Sequence, residues 1–464
     1  MLPNWPHLDV QGRMELLEQE IEDIYPLTPF QEYMLRQRLS EPKPGLYVVH
    51  QFSFLREEQV NAAAIKQAWQ QVINRNPIQR TSFVWEGLSK PLQLVHRHIA
   101  VPLEEYDWRD LSTEVQKVQA RRYVQEARQR NFELDKAPHT RFALIRLSEN
   151  TYQFFWSFNY MLQDGWSYPL ILKEFFALYE AYKRNEEIAL TQRPLYRDFI
   201  TWHQEQDMVE AENYWRRALQ GFRVPIPLVA RMPGNVPGGS DPYTSEDLYL
   251  PGALTAALRS MTRQHQLTLN TLLQGAWALL LSSYTGELDV LFGGIVSGRP
   301  ANLPGVESMI GLFNNLLPLR IQVVPEMTLL SWLRDIQAHQ AEMRQYDYSP
   351  PLKIKEWSDV PGNIPLFESY LVAENFPSDA AVEEKLRNWL REGSGLTQTE
   401  HPLRIEVWPL HTILLSMGYY PHYFDPNTIK RILRDFQSVL KAFVTHHQQR
   451  LAQLLSSIAS RRNL

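Results

Sequence analysis

Apolar positions along the chain switch repeatedly between two spacings. In YVVHQFSFL the alternation runs about Val48, His50, Phe52 and Phe54, and TYQFFWSF repeats it with Tyr152, Phe154, Trp156 and Phe158. Period two is that of a strand, whose successive side chains point to opposite faces. Between these runs, EEQVNAAAIKQAWQQVINRN places Val60, Ala64, Trp69, Val72 and Ile73 at helical spacing, and STEVQKVQARRYVQEARQRN and YPLILKEFFALYEAYKR also read as helices. TPFQEYMLRQRL opens another, with Thr28 as N-cap, Pro29 at the first helical position and Gln31 three residues after the cap. TSFVWEG, PLQLVHRHIAV and RFALIRL read as strands. The succession predicts a mixed sheet flanked by helices over residues 21–185, with residues 1–20 as an extension or linker. LQGFRVPIPLVARMPGNVPGGSDPY, residues 219–243, concentrates proline and glycine, so the lobe boundary is expected there, within a linker and crossover region at 186–243.

From 244 to 464 the alternation resumes. LTAALRSMTRQHQLTLNTLLQGAWALLLSSYTG predicts two helices joined near 267–270, and LDVLFGGIVSG a buried strand entering a glycine-bearing turn. LLSWLRDIQAHQAEMRQY is a helix, LFESYLVAEN, LRIEVWPL and ILLSMGYY are strands, and a helix from Pro426 to about His446 closes the chain. Strand-helix-strand recurs in both halves with no residue-level repeat, so the expectation is α/β: two lobes, each a two-layer α+β sandwich.

Composition narrows the chemistry. A chain of 464 residues, 44% hydrophobic, exceeds what one core usually supports. Its formal charge of −5, without a Lys/Arg block interleaved with aromatics, argues against nucleic acid. Absence of cysteine removes disulfides, thiolate metal sites and a cysteine nucleophile, and fits a reducing compartment. The first residues lack a secretory pattern and no apolar run approaches the ~20 residues of a membrane span. These features describe a soluble, cytoplasmic protein, expected to be a monomer. HExxH, GxSxG, phosphate-loop and dinucleotide fingerprints are missing, and His96 and His98 in VHRH lack a third metal ligand.

One polar cluster stands at a strand-to-helix junction: FNYMLQDGWS, residues 158–167. Alternation leaves Asn159 and Tyr160 on opposite sides of the strand exit, so they share a cavity only if the chain bends there. Asp164 and Ser167 are placed to cap the next helix, with Gly165 permitting a close backbone approach. A phenol with an ordinary pKa of about 10 donates hydrogen bonds at neutral pH far more readily than it accepts a proton.

Several stretches together resemble the condensation domains of nonribosomal peptide synthetases, in family order over roughly residues 20–455. They are IEDIYPLTPFQEYML, NRNPIQRTSFVWEG, WSFNYMLQDGWS, PLYRDFITW, VSGRP with MIGLFNNLLPLR, QYDYSP, KEWSDVP, PLFESYLVAENFP and YFDPNTIKRIL. The resemblance implies a V-shaped pseudo-dimer of two chloramphenicol-acetyltransferase-like lobes with a central tunnel. Donor and acceptor carrier proteins, peptidyl or acyl, would bring substrates on 4′-phosphopantetheine arms, with no cofactor bound by the domain itself. DIYPLTP looks most like domains that take a peptidyl donor. The family motif HHxxxDG here reads NYMLQDG: its first histidine aligns with Asn159 and its second, the one usually assigned to catalysis, with Tyr160. Asp164 and Gly165 are retained; the family gives that aspartate an ion pair with an arginine, for which Arg80 and Arg299 are the candidates. Trp166, Ser167, Asn314, Asn315, Glu374 and Asn375 are candidate tunnel-lining residues.

Two functions follow. The first is an altered acyltransferase joining a carrier-bound thioester to an amine or hydroxyl acceptor, with Tyr160 and Asn159 donating hydrogen bonds to the tetrahedral intermediate. The second is an inactive platform for a carrier protein or a tailoring enzyme. Heterocyclization relatives carry DxxxxDxxS, matched by Asn159, Asp164 and Ser167 only with an amide in place of the first carboxylate, and rank below both. Arg121, Arg122, Arg128 and Arg130 could meet an acidic carrier or simply form a solvated helix face. The chain is expected to be freestanding or cut from a larger protein.

Overall fold

The computed structural model of the protein describes residues 20–56, 60–225, 228, 242–374 and 397–462. Two compact units divide the chain: Met1–Gln206, Arg299–Phe313 and Phe376–Gln398 form the first, and Asp207–Gly298, Asn314–Asn375 and Thr399–Leu464 the second. The break at Gln206 lies between two helices, upstream of the proline- and glycine-rich stretch, of which residues 226, 227 and 229–241 lie outside the described residues.

In chain order the first unit holds β1 (Ile21–Pro26), α1 (Pro29–Ser40), β2 (Val48–Arg56), α2 (Ala62–Arg75), β3 (Thr81–Val84), β4 (Leu92–His96), β5 (Leu103–Asp107), α3 (Thr113–Gln129), β6 (Thr140–Ser148), β7 (Thr151–Asn159), α4 (Ser167–Lys183) and α5 (Tyr196–Gln204). β1-β4-β3 make one sheet and β2-β7-β6-β5 another. α1 begins on a full capping box: Thr28 Oγ1 accepts from Gln31 N and Gln31 Oε1 from Thr28 N. The apolar stripe of α2 is buried, and Trp69 lies with its ring centroid 4.4 Å from Phe142, 4.7 Å from Phe175 on α4 and 4.8 Å from Trp156. Phe154 and Trp156 thus face the helices. Phe155, one residue out of phase, packs with Ala143 and Ile145 on the opposite face, beside Tyr123 and Val124 of α3.

The second unit holds α6 (Met208–Leu219), β8 (Thr244–Tyr249), α7 (Gly252–His265), α8 (Leu269–Thr285), β9 (Asp289–Val296), β10 (Asn315–Gln322), α9 (Leu329–Met343), α10 (Pro351–Trp357), β11 (Ser369–Ala373), β12 (Leu403–Trp408), β13 (Leu414–Tyr419), α11 (Pro426–Thr445) and α12 (Leu451–Arg462). Its sheet runs β10-β9-β11-β12-β13-β8, with β11 parallel to both neighbours. α8 is buried almost all round, and Trp277 on it donates to Ser369 Oγ of β11 at 3.2 Å. α11 presents a stripe of Ile429, Ile432, Leu433, Phe436, Val439, Leu440 and Phe443 to the interior. The expected strand is β9, with Gly298 at φ 60° just beyond it; Gly293 and Gly294 lie inside the strand, where Cβ atoms would run into Phe367 and Leu319.

Candidate active site

β7 ends at Asn159, and Tyr160–Leu162 form a single 3-10 turn. The backbone bends there and sends the two side chains to different surroundings. Asn159 is fully buried: its Oδ1 accepts from Met161 N at 3.1 Å, capping the turn, and its N–H donates to His139 O at 2.9 Å. Oδ1 of Asn159 thus caps the turn, while its buried Nδ2 has no hydrogen-bond partner among the described residues. Tyr160 is half-buried, and its N–H donates to Tyr47 O at 2.8 Å. Tyr47 sits at φ 60°, in the left-handed region that aromatic residues seldom enter.

Asp164 has almost no exposure and is wrapped by its own helix start and by 299–313. Its Oδ1 accepts from Ser167 N at 2.9 Å and lies 2.7 Å from Ser167 Oγ; its Oδ2 accepts from Phe313 N at 3.3 Å. Arg299 Nη2 reaches both carboxylate oxygens at 3.2 and 3.3 Å, while Nη1 donates to Val306 O and Met309 O. The guanidinium also lies 3.8 Å from the Phe313 ring centroid, a cation-π contact. Burial lowers the Arg299 pKa and the Asp164 charge opposes that shift. Of the two candidate arginines, Arg80 is engaged elsewhere, on Glu22 Oε2 at 2.7 Å and on His96 O, because it leaves the 3-10 turn Pro77–Arg80 toward β1 and β4. The ion pair of Asp164 belongs to Arg299.

Gly165 is half-buried beside this pair, and Trp166 Nε1 donates to Glu307 O at 3.0 Å. Ser167 is fully buried, its Oγ shared between Asp164 and the Gly311 backbone. It is a joint between α4 and 299–313. Gly311 has no alternative: a Cβ would enter the Tyr196 ring, whose hydroxyl donates to Leu312 O at 2.5 Å. In the second unit, Asn315 is buried with Nδ2 donating to Asp347 O and Ser349 O, both at 2.8 Å, so it clamps that loop. Asn314 and Glu374 are half-buried, Glu374 N donating to Val407 O; Asn375 lies outside the described residues.

Sequence reasoning missed Gln79, Gln93 and Gln163, and read Gln31 only as a cap; all four amides are buried near the Tyr160 turn. It also missed two neutral imidazoles. His50 lies 2.9 Å from Ser157 Oγ and His139 lies 3.1 Å from Leu134 O, and burial above all pulls each down to about 3. The alternation about Val48 and Phe52 sets His50 on an apolar face, whereas His139, just ahead of β6, lies in no periodic run. No residue of α3 is buried, and Arg122 on it pairs with Glu126 at 2.7 Å. Among the described residues, no group of three or more His, Asp or Glu could hold a metal, and no helix is long and apolar enough to cross a membrane.

Residues 21–463 match the family model of the condensation domain. The chain belongs to the condensation-domain family. A linear gramicidin synthase of Brevibacillus parabrevis is 41% identical over 434 residues, 94% of this chain but 8% of that protein. The first condensation domain of the calcium-dependent antibiotic synthetase, solved with a substrate analogue, superposes with a TM-score of 0.75 at 15% identity, covering 93% of this chain and 99% of that one. The X-domain from teicoplanin biosynthesis gives a TM-score of 0.75 at 22% identity, over 92% and 96% of the two chains. The chain spans only a small part of the synthetases it matches, 8% of that gramicidin synthase subunit.

Proposed function

We propose that this condensation domain joins a carrier-bound acyl or peptidyl thioester to an amine or hydroxyl acceptor, with the phenol of Tyr160 standing where the family has its catalytic histidine. Carrier proteins would present both substrates on 4′-phosphopantetheine arms. The acceptor's lone pair attacks the thioester carbonyl, the carbonyl oxygen takes up negative charge, and collapse breaks the C–S bond and releases the pantetheine thiolate, which the acceptor's displaced proton neutralises through solvent. Tyr160 donates a hydrogen bond to the oxyanion; alignment of the reactants supplies the remainder. The observation that supports this reading is the Asp164–Arg299–Ser167 joint, which begins four residues after the half-exposed Tyr160.

Mixing donor-loaded carrier with acceptor-loaded carrier and following product by mass spectrometry tests it. Wild type should form product above the background of carriers alone, and Tyr160→Phe should slow this by about 10²-fold, the usual cost of one oxyanion donor. An undiminished Phe variant removes Tyr160 from the mechanism. The second reading, a platform that recruits a carrier or a tailoring enzyme, is favoured by the replacement of both histidines. It expects carrier binding that survives Tyr160→Phe with no product from wild type.

A further inference from the structure

Behind the Tyr160 turn, Gln31, Gln93 and Gln163 have no solvent exposure and Gln79 has 3%. Glutamine is mostly a surface residue, and a buried amide is costly unless its polar atoms are matched. Gln31 and Gln93 reach main-chain groups of separate elements, whereas Gln79 meets the side chain of Gln163, whose Nε2 has no partner among the described residues. Gln31 Oε1 accepts from Thr28 N at 2.9 Å, while its Nε2 donates to Met161 O at 2.8 Å and to Gln93 Oε1 at 3.1 Å. Gln93 Nε2 donates to Pro26 O at 3.0 Å. Backbone N–H and C=O have fixed roles, so these contacts dictate which way the Gln31 and Gln93 amides point. From the other side, Gln79 on the 3-10 turn Pro77–Arg80 donates to Gln163 Oε1 at 2.5 Å, and Gln163 N closes the next turn on Tyr160 O at 3.3 Å.

A single 3-10 turn has poor internal hydrogen-bond geometry. Its rigidity must come from outside, and Met161 and Gln163, two of the three residues after Tyr160, are each gripped by an amide from a different element. We propose that Gln31 and Gln79 are positioning residues for Tyr160, holding its turn in one conformation so that the phenol is aimed before the oxyanion forms. This rests on the reading of Tyr160 as a donor in acyl transfer. It also gives a physical reason why PLTPFQ, NPIQRT and NYMLQDG occur in one chain: each contributes one side of the same clamp.

Gln31→Met and Gln79→Met keep length and approximate volume but remove the donors. In the loaded-carrier assay each should lower kcat by on the order of 10- to 100-fold, the scale of a misplaced catalytic group, with KM for both carriers unchanged. Combined with Tyr160→Phe, each should have little further effect, because the phenol it positions is gone. An equal fold-loss in both backgrounds overturns the proposal. A second measurement does not need turnover: 3-fluorotyrosine placed at 160 should give one narrow ¹⁹F line in the parent and a shifted or split line in either variant, and an unchanged line overturns the proposal. If wild type makes no product, only the reading of Tyr160 as a catalyst falls and the ¹⁹F result still decides the positioning. Should a single variant fail to fold, Gln79→Met with Gln163→Met removes both partners of one bond together and carries the same expectations.

Discussion

Tyr160 and a histidine at the same place differ in what each can do with a proton. A phenol, ordinarily titrating at about 10, gives a hydrogen bond and keeps its proton, whereas an imidazole takes one up near neutrality. Tyr160→His should therefore raise the rate of an active domain by about 10-fold or more, with the gain appearing as pH rises through the imidazole pKa, as general-base catalysis requires. Loaded-carrier rates between pH 6 and 9 check this, and a flat profile without gain would show that proton removal does not limit the reaction. The neighbouring ion pair obeys different rules. Arg299 and Asp164 side chains are 4% and 0% exposed, so Asp164→Asn leaves a buried guanidinium uncompensated. Breaking such a pair costs about 3–5 kcal/mol, measurable by urea unfolding, and combining it with Arg299→Met should cost less than the two changes summed. A loss within about 0.5 kcal/mol, the range of an ordinary surface change, would contradict the role given to the pair.

Elements show where sequence patterning succeeds and where it stops. The capping box at Thr28 and the alternation in TYQFFWSF are local signals, and α1 and β7 appear where those signals place them. β5 has no such signal, because LEEYD is an exposed edge strand without an apolar face. α5 and α6 lie inside the expected linker; each buries one short stripe, such as Tyr196, Phe199 and Ile200 on α5, too short to dominate its surroundings. The bend at Asn159 is legible only as a condition. Least legible is the joint between α4 and 299–313, since nothing local reveals that residues more than a hundred positions apart share Asp164. Gly311 marks that joint. Gly311→Ala would push Tyr196 away from Leu312 O and separate Phe313 N from Asp164, an overpacking change of about 1–3 kcal/mol. The expected result is a lower unfolding midpoint in urea with an unchanged slope; an unaltered midpoint would mean that Tyr196 moves freely.

At the scale of the whole molecule, acid should act oppositely on the two units. His50 and His139, both in the first, are held down to about 3, mainly by burial and further by arginines: Arg128 and Arg141 near His50, Arg38 and Arg141 near His139. A folded pKa below the unfolded 6.5 means that the unfolded chain binds protons first, so this stability is complete above pH 6.5 and shrinks as pH falls toward 3. At pH 5 the loss is on the order of 2 kcal/mol per imidazole. Asp347, in the second unit, is pushed up to about 7 by burial, against the pull of Arg344, and its Oδ1 has no hydrogen-bond partner among the described residues. Its folded pKa exceeds the unfolded value of 3.8, so the native state gains protons first and the second unit gains on the order of 2–3 kcal/mol between pH 7 and 5. Native-state hydrogen exchange, corrected for intrinsic rates, reads the units separately. Protection along the β2–β7 ladder should fall at pH 5, while protection near β10 and Ser349 should rise. Asp347→Asn should abolish the second change and leave the first, because a neutral amide has no proton to gain; a parallel loss in both units would show that neither set of buried groups governs the acid response.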